Sequence, residues 1–346
     1  MEEATAAGRD LDVERIIQDI LSTIDRERER EIIARRFGLF DRKETLEQIG
    51  ELLGITRERV RQLEKSVLGK LKQGAEKDLP HRKQVDARLL NELEKLGHVA
   101  RVPDIAGRLT KDNTKLDQAR VAFLSQLSPS VAVIEENDHF YHAVGNAVMH
   151  TEKQIREHVA KIVEAVKRIN QPTGVAAIKD HTGLSNDGHV KALAGISKQL
   201  ATLNDRWGLI KWPMVNPKNI RDKIYVILHQ NGKPMHFGEI AEAIKSSNFK
   251  RKDVTTQAIH NELIKDDRFV LIGRGIYALK DWGYKQGTVA DVIADVLKKE
   301  GGPLHRDEIV KRVLKTRHVK ETTILLNLQG KPQFKRVAKA TYALNG

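Results

Sequence analysis

The second half of the chain repeats itself, and a repeat of this kind constrains the fold more than any single motif, because like sequences must close into like units. GKPMHFGEI at residues 232–240 returns as GGPLHRDEI at 301–309, and the YAL of 277–279 returns at 342–344. Each copy reads as a helix, a Pro-His turn, a second helix starting near Glu239 or Glu308, a third helix, and two short β-rich runs. That order is a winged helix. In the first copy the β-runs, 268–272 and 276–279, are joined through Gly273, Arg274 and Gly275, and the glycines permit the positive φ of a tight hairpin. In the second copy they are 334–337 and 341–344. A weaker copy spans about 86–145, with VPDIAGRL as second helix, LDQARVAFLSQL as third and VAVIEENDHFYHA as hairpin; a fourth runs from 151 to 213 and ends in DRWGLIKWP.

The first 75 residues carry a different pattern, helices in quick succession with Ile16, Ile17, Ile20, Leu21 and Ile24 at helical spacing. In ETLEQIGELL, Thr45 is placed to cap a helix and Gln48, three residues on, to complete a capping box. Gly54 suits the left-handed end of that helix, and Thr56 caps the next. Helix, glycine turn, helix is the helix-turn-helix arrangement. At about 100° per residue, Val60, Leu63, Val67 and Leu71 share a stripe roughly 80° wide, while Arg57, Glu58, Arg61, Gln62 and Lys65 spread over roughly 140° elsewhere. Arg, Gln and Glu match guanine, adenine and the cytosine amine in the major groove. An acid on a basic helix repels phosphate, so Glu58 fits base discrimination better than plain charge attraction. Lys65, Lys70 and Lys72 suit the DNA backbone. The alternative is a packed amphipathic helix whose charged face is only solvated.

Charge agrees with a polyanionic partner: 60 Lys and Arg against 47 Asp and Glu leave +13, with the excess downstream of residue 75. The absence of cysteine excludes disulfides, thiolate nucleophiles and Cys-ligated zinc. MEEATAAGRDLDVER is acidic and polar where a secretory leader is basic and then apolar, and no apolar run is long enough for a membrane span, so a cytoplasmic protein is expected. KQGAEKDLPHRKQVD, residues 72–86, lacks apolar periodicity and places a linker at 76–86. Pro103-Asp104 is half of a nuclease motif, but residues 111–134 hold no Glu-x-Lys or Asp-x-Lys to complete it, and no phosphate-binding loop is present. No enzyme and no cofactor are expected, and His139 and His142, without an acid or cysteine at ligand spacing, predict no metal site.

The stretches TLEQIG (45–50), LGITRERVRQLE (53–64) and LGKLK (68–72) resemble region four of the bacterial sigma-70 family, as does REREIIARRFGLF (28–40) ahead of them. The likeness covers about residues 12–75. It implies a second helix docked in the major groove of the minus-thirty-five promoter element, and contact with the β flap of RNA polymerase. It places Arg57, Glu58, Arg61 and Gln62 at the base-reading positions, and Thr45, Leu46, Thr56, Arg59 and Lys65 near the sugar-phosphate backbone. A complete sigma factor also has a promoter-melting module before this region; about eleven residues stand there in this chain, so sigma activity without help from elsewhere is not expected. The repeats within 219–346 are similar to the HARE-type winged helix found in the polymerase delta subunit, which implies a transcription setting.

The expected architecture is therefore mainly α: a helix-turn-helix bundle at 12–75, then tandem winged-helix (α+β) units at 87–146, 151–214, 219–284 and 287–346. The expected function is sequence-specific binding of double-stranded DNA in association with RNA polymerase. The rival is an adaptor that docks on polymerase and competes with sigma factor without reading DNA. Among other residues, His236 and His305 read as helix caps, Arg274 and Lys339 as hairpin tips within reach of phosphate, and Trp207 and Trp212 as core. The acids Glu135, Glu136 and Asp138 turn their hairpin away from DNA, toward protein or solvent.

Overall fold

A computed structural model describes residues 10–77, 79–284 and 287–345. The opening residues 1–9, part of the stretch that argues against a secretory leader, lie outside the described residues, as does Asp78 of the expected linker. The fold is mainly α, and the chain divides after Ile210 into two compact units.

The first unit opens with α1 (Val13–Ser22), α2 (Glu27–Phe37), α3 (Leu46–Leu53) and α4 (Arg57–Lys77). Next come α5 (Arg82–Lys95), β1 (Val99–Arg101), α6 (Val102–Leu109), α7 (Lys115–Leu127), β2 (Val131–Ile134) and β3 (Ala143–Asn146), the winged-helix order. The strands form an antiparallel sheet in the order β1-β3-β2, with Val99 opposite Gly145 and Val133 opposite Val144. Then follow α8 (Glu152–Ile169), α9 (Val175–Thr182), α10 (Asp187–Gly195), β4 (Leu200–Leu203) and β5 (Arg206–Leu209). Thr173 bridges to Trp207 and supplies the third position of that small sheet.

The bundle and the first winged helix are built around one core. Ile17 and Ile20 of α1 and Val67 and Leu71 of α4 belong to the same buried cluster as Leu89, Ile105 and Phe123. Each such aliphatic side chain contributes about 1.5–3 kcal/mol on burial. Arg120 of α7 is buried, with Nε donating to the Leu39 carbonyl at 2.8 Å and Nη2 2.8 Å from Glu14, tying that helix to the bundle. The linker expected at 76–86 is helix at both ends, since α4 runs to Lys77 and α5 begins at Arg82. Its polar residues hide one apolar position per turn: Val85 and Leu89 are buried, and His81 Nε2 meets Asp19 Oδ2 at 2.6 Å.

The acidic hairpin loop faces protein. Tyr141 N donates to the Ile196 carbonyl at 3.0 Å, Lys198 N to the His139 carbonyl at 2.8 Å, and Lys198 Nζ sits 2.7 Å from Glu136.

The second unit holds α11 (Ile220–Asn231), β6 (Met235–His236), α12 (Phe237–Ser246), α13 (Thr256–Lys265), β7 (Phe269–Gly273) and β8 (Ile276–Leu279). The same order returns as α14 (Val289–Glu300), β9 (Leu304–His305), α15 (Arg306–Leu314), α16 (Glu321–Gly330), β10 (Phe334–Ala338) and β11 (Thr341–Leu344). The sheets match, β6-β8-β7 and β10-β11-β9. The segment ahead of α16 covers the outer edge of β7: Arg317 donates to the Leu271 and Gly287 carbonyls, and His318 N to the Ile272 carbonyl at 3.0 Å. A strand edge left open there would invite pairing with another chain.

Candidate nucleic-acid interface

The helix-turn-helix is fixed at both ends of its turn. Thr45 Oγ1 accepts from Gln48 N at 3.2 Å while Gln48 Oε1 accepts from Thr45 N at 2.9 Å, completing the capping box. Gly54 takes φ +63° at the end of α3, and Thr56 Oγ1 accepts from Arg59 N at 3.2 Å to start α4. Gly50 is needed for closeness, since a Cβ there would lie 2.7 Å from the Ile55 carbonyl oxygen. Val60 of α4 is buried against Ile32 and Ile49, with Leu46, Leu53, Ile55 and Leu63 around them. Polar ties from Arg36 of α2 reach both α4 and the loop before α3: its Nε lies 3.3 Å from Glu64 Oε1, and its Nη1 donates to the Glu44 carbonyl. Arg28 donates to the Leu53 carbonyl, placing a cation at the negative end of α3.

The opposite face of α4 is open. Arg57, Glu58, Arg59, Arg61, Gln62, Lys65, Lys70 and Lys72 are all exposed, so the residues expected to read bases are brought together on one accessible surface. They also engage one another. Glu58 Oε2 accepts from Arg61 Nε at 2.9 Å and Glu58 Oε1 from Arg61 Nη2 at 2.7 Å, and Arg59 Nη1 donates to Gln62 Oε1 at 3.3 Å. The hydrogen bonds from Arg61 hold the Glu58 carboxyl below its ordinary pKa, and Glu58 in turn raises that of Arg61. Both stay ionised at neutral pH. An exposed, solvent-screened pair of this kind is weak, while a bidentate Arg–guanine contact discriminates strongly between bases. The pair therefore orients Arg61 without preventing its exchange onto a base.

Thr45 and Thr56 are exposed at helix starts, where a hydroxyl and free N–H groups favour an anion. Leu46 turns its side chain into the small core, so it offers a phosphate only its N–H. Arg274 and Lys339 sit exposed at the tips of the β7–β8 and β10–β11 hairpins, and Lys335 and Arg336 extend the basic surface along β10. His236 and His305 act as helix caps, accepting from Gly238 N at 3.1 Å and Asp307 N at 3.4 Å. Trp207 is buried in β5, and Trp212 is half-buried. One cluster escaped the sequence reading. His150, His158 and His189 converge in space from positions up to 39 residues apart, and no spacing along the chain signals it.

Residues 26–73 match the family model for sigma-70, region 4. The chain is also 46% identical over 70 residues to the RNA polymerase sigma factor SigA of a Bacillus species, a stretch that covers 20% of this chain and 18% of that protein. The chain thus spans a small part of the relative it matches, and the family model falls on the helix-turn-helix. It carries a sigma-like DNA-binding region.

Proposed function

We propose that the protein is a sequence-specific DNA-binding transcription factor that reads a promoter element of the minus-thirty-five type through α4 and associates with RNA polymerase. The observation that carries this reading is the exposed set Arg57, Glu58, Arg61 and Gln62 on a helix whose other face is locked by Val60 and Leu63, inside the region that matches sigma-70, region 4. Chemistry is not its mechanism; recruitment is. The side chains specify, while Thr45, Thr56, Arg59, Lys65, Lys70 and Lys72 hold phosphate and fix register. The HARE-like hairpins of the second unit, with Arg274, Lys339 and the basic edge of β10, add sequence-independent contacts.

The engagement of Arg61 by Glu58 favours a second reading, in which the region docks on polymerase, at the β flap, and competes with sigma factor while never touching bases. The double variant Arg61→Ala, Gln62→Ala separates them. A base reader keeps its fold and its co-purification with RNA polymerase but loses preference for its selected duplex over a scrambled one, by about 1–3 kcal/mol for each lost bidentate contact. An adaptor shows no such preference in the parent protein and nothing for the variant to lose.

A further inference from the structure

Three imidazoles in the first unit come together away from the DNA-binding face. Ring nitrogens of His150, His158 and His189 lie within 4.8 Å of one another. His150 follows β3, in the turn that leads into α8; His158 stands on α8; His189 lies in the first turn of α10. The rings pack closely, His150 stacked on His189 with centroids 4.8 Å apart and edge-on to His158 at 5.0 Å. His98, in the turn after α5, lies beyond, its centroid 6.2 Å from that of His189.

The hydrogen bonding of His189 prepares it as a ligand. Its side chain is buried, and Nδ1 is 2.8 Å from the Gly97 carbonyl oxygen, a contact that requires the proton on Nδ1 and leaves the Nε2 lone pair free. Nε2 is itself buried and has no hydrogen-bond partner, and the same holds for His158 Nδ1 and His98 Nδ1. A buried polar atom left unpaired is costly, and two of these belong to His158 and His189, whose neighbouring rings stand with centroids 6.2 Å apart and can share a partner. A carbonyl that fixes the tautomer from behind is the usual support of a metal-bound histidine. The backbone is shaped for it: Gly97 takes φ +87°, and a Cβ there would lie 2.5 Å from the Gly188 carbonyl oxygen, so only glycine lets that turn approach the start of α10.

We propose that His150, His158 and His189 bind a divalent transition-metal ion, zinc, that pins the turn after β3 to α8 and α10. All-imidazole donors without a carboxylate suit zinc and its neighbours rather than calcium or magnesium, which take oxygen. Zinc–nitrogen bonds of about 2.0–2.1 Å in a tetrahedron set the nitrogens about 3.3 Å apart. Closing from 4.8 Å therefore moves the outer nitrogens by under about 1 Å each, within the reach of torsions at the half-buried His150 and His158. Water takes the fourth position. The role is structural, because the ligands come from the turn after β3 and from α8 and α10, which the ion would hold together, and the site lies apart from α4.

The test uses the untagged full chain, stripped with chelator and titrated with Zn²⁺ or Co²⁺ alone. One equivalent per chain is expected, with the strong visible absorption of tetrahedral cobalt and a raised unfolding midpoint for the zinc form. His158→Gln, at a half-buried position, and His189→Gln should each weaken binding by more than about 100-fold, while His229→Gln, in the second unit, leaves it unchanged. A stripped chain that takes up no metal, or a site unaffected by His158→Gln in protein with native circular dichroism, overturns the proposal.

Discussion

The turn between α3 and α4 sets how the reading face is presented, and Gly50 is where that turn is tightest. Replacing it with Ala puts a Cβ 2.7 Å from the Ile55 carbonyl oxygen and 3.5 Å from Arg57 N. The first distance is about 0.7 Å short of ordinary contact, and the oxygen belongs to backbone already committed, because Ile55 N donates to the Gly50 carbonyl at 2.9 Å. The helices must therefore separate, and overpacking of this size costs about 1–3 kcal/mol. Exchange of a helical glycine for alanine returns about 0.5–1 kcal/mol, so Gly50→Ala should destabilise by up to about 2.5 kcal/mol, around 1 kcal/mol at mid-range. Gly69 supplies the control: it lies exposed within α4 with nothing within 4 Å of its Cβ position. Gly69→Ala should stabilise by about 0.5–1 kcal/mol. The same substitution on one helix pair thus has opposite signs. Urea unfolding followed by circular dichroism reads both, and affinity for a selected duplex should fall in Gly50→Ala beyond what lost stability explains. A Gly50→Ala protein as stable as its parent would show that close approach does not fix this turn.

Three other outcomes follow from named contacts. Arg120→Met leaves the Leu39 carbonyl and the half-buried Asp117 without their cation and should cost about 3 kcal/mol in urea unfolding, at the lower end for a broken buried pair because Glu14 stays hydrated. Lys65→Ala should leave base preference intact while reducing the slope of log affinity against log salt by about 0.9, the share of one phosphate. Burial lowers the pKa of His142 below its ordinary value, with Lys43 acting in the same direction and Glu135 and Glu136 against it. The unfolded chain then takes up that proton first. Its contribution to stability is level above about pH 6.5 and declines as pH falls below it, by at most about 1.4 kcal/mol per unit for one group; His142→Gln should make the overall decline shallower.

Local chemistry makes much of the helix-turn-helix legible in the sequence itself. Thr45, Gln48, Gly54 and Thr56 act through neighbours within a few residues, and their signals survive in a linear reading. The β-runs and His caps of the repeats were visible for the same reason. What the chain did not reveal depends on long-range contact. Val85 and Leu89 are single apolar positions in polar surroundings, and only packing against α1 and α7 turns the expected linker into a helix of a shared core. The seat of Arg120 between Leu39 and Glu14 and the meeting of His150, His158 and His189 join residues separated by tens to more than a hundred positions. The i, i+3 spacing of Glu58 and Arg61 allows their pairing, but the same spacing allows other partners, so the pair is settled only in the fold.

Selection of bound duplexes from random DNA tests the role of α4 most directly, when performed with the parent chain and with single variants Glu58→Gln, Arg61→Ala and Gln62→Ala. If these side chains meet base edges, the parent enriches a defined motif and each variant relaxes or changes it at its own position, leaving the others in place. Enrichment of no motif, or of one motif identical in all four proteins, would contradict base reading by this helix.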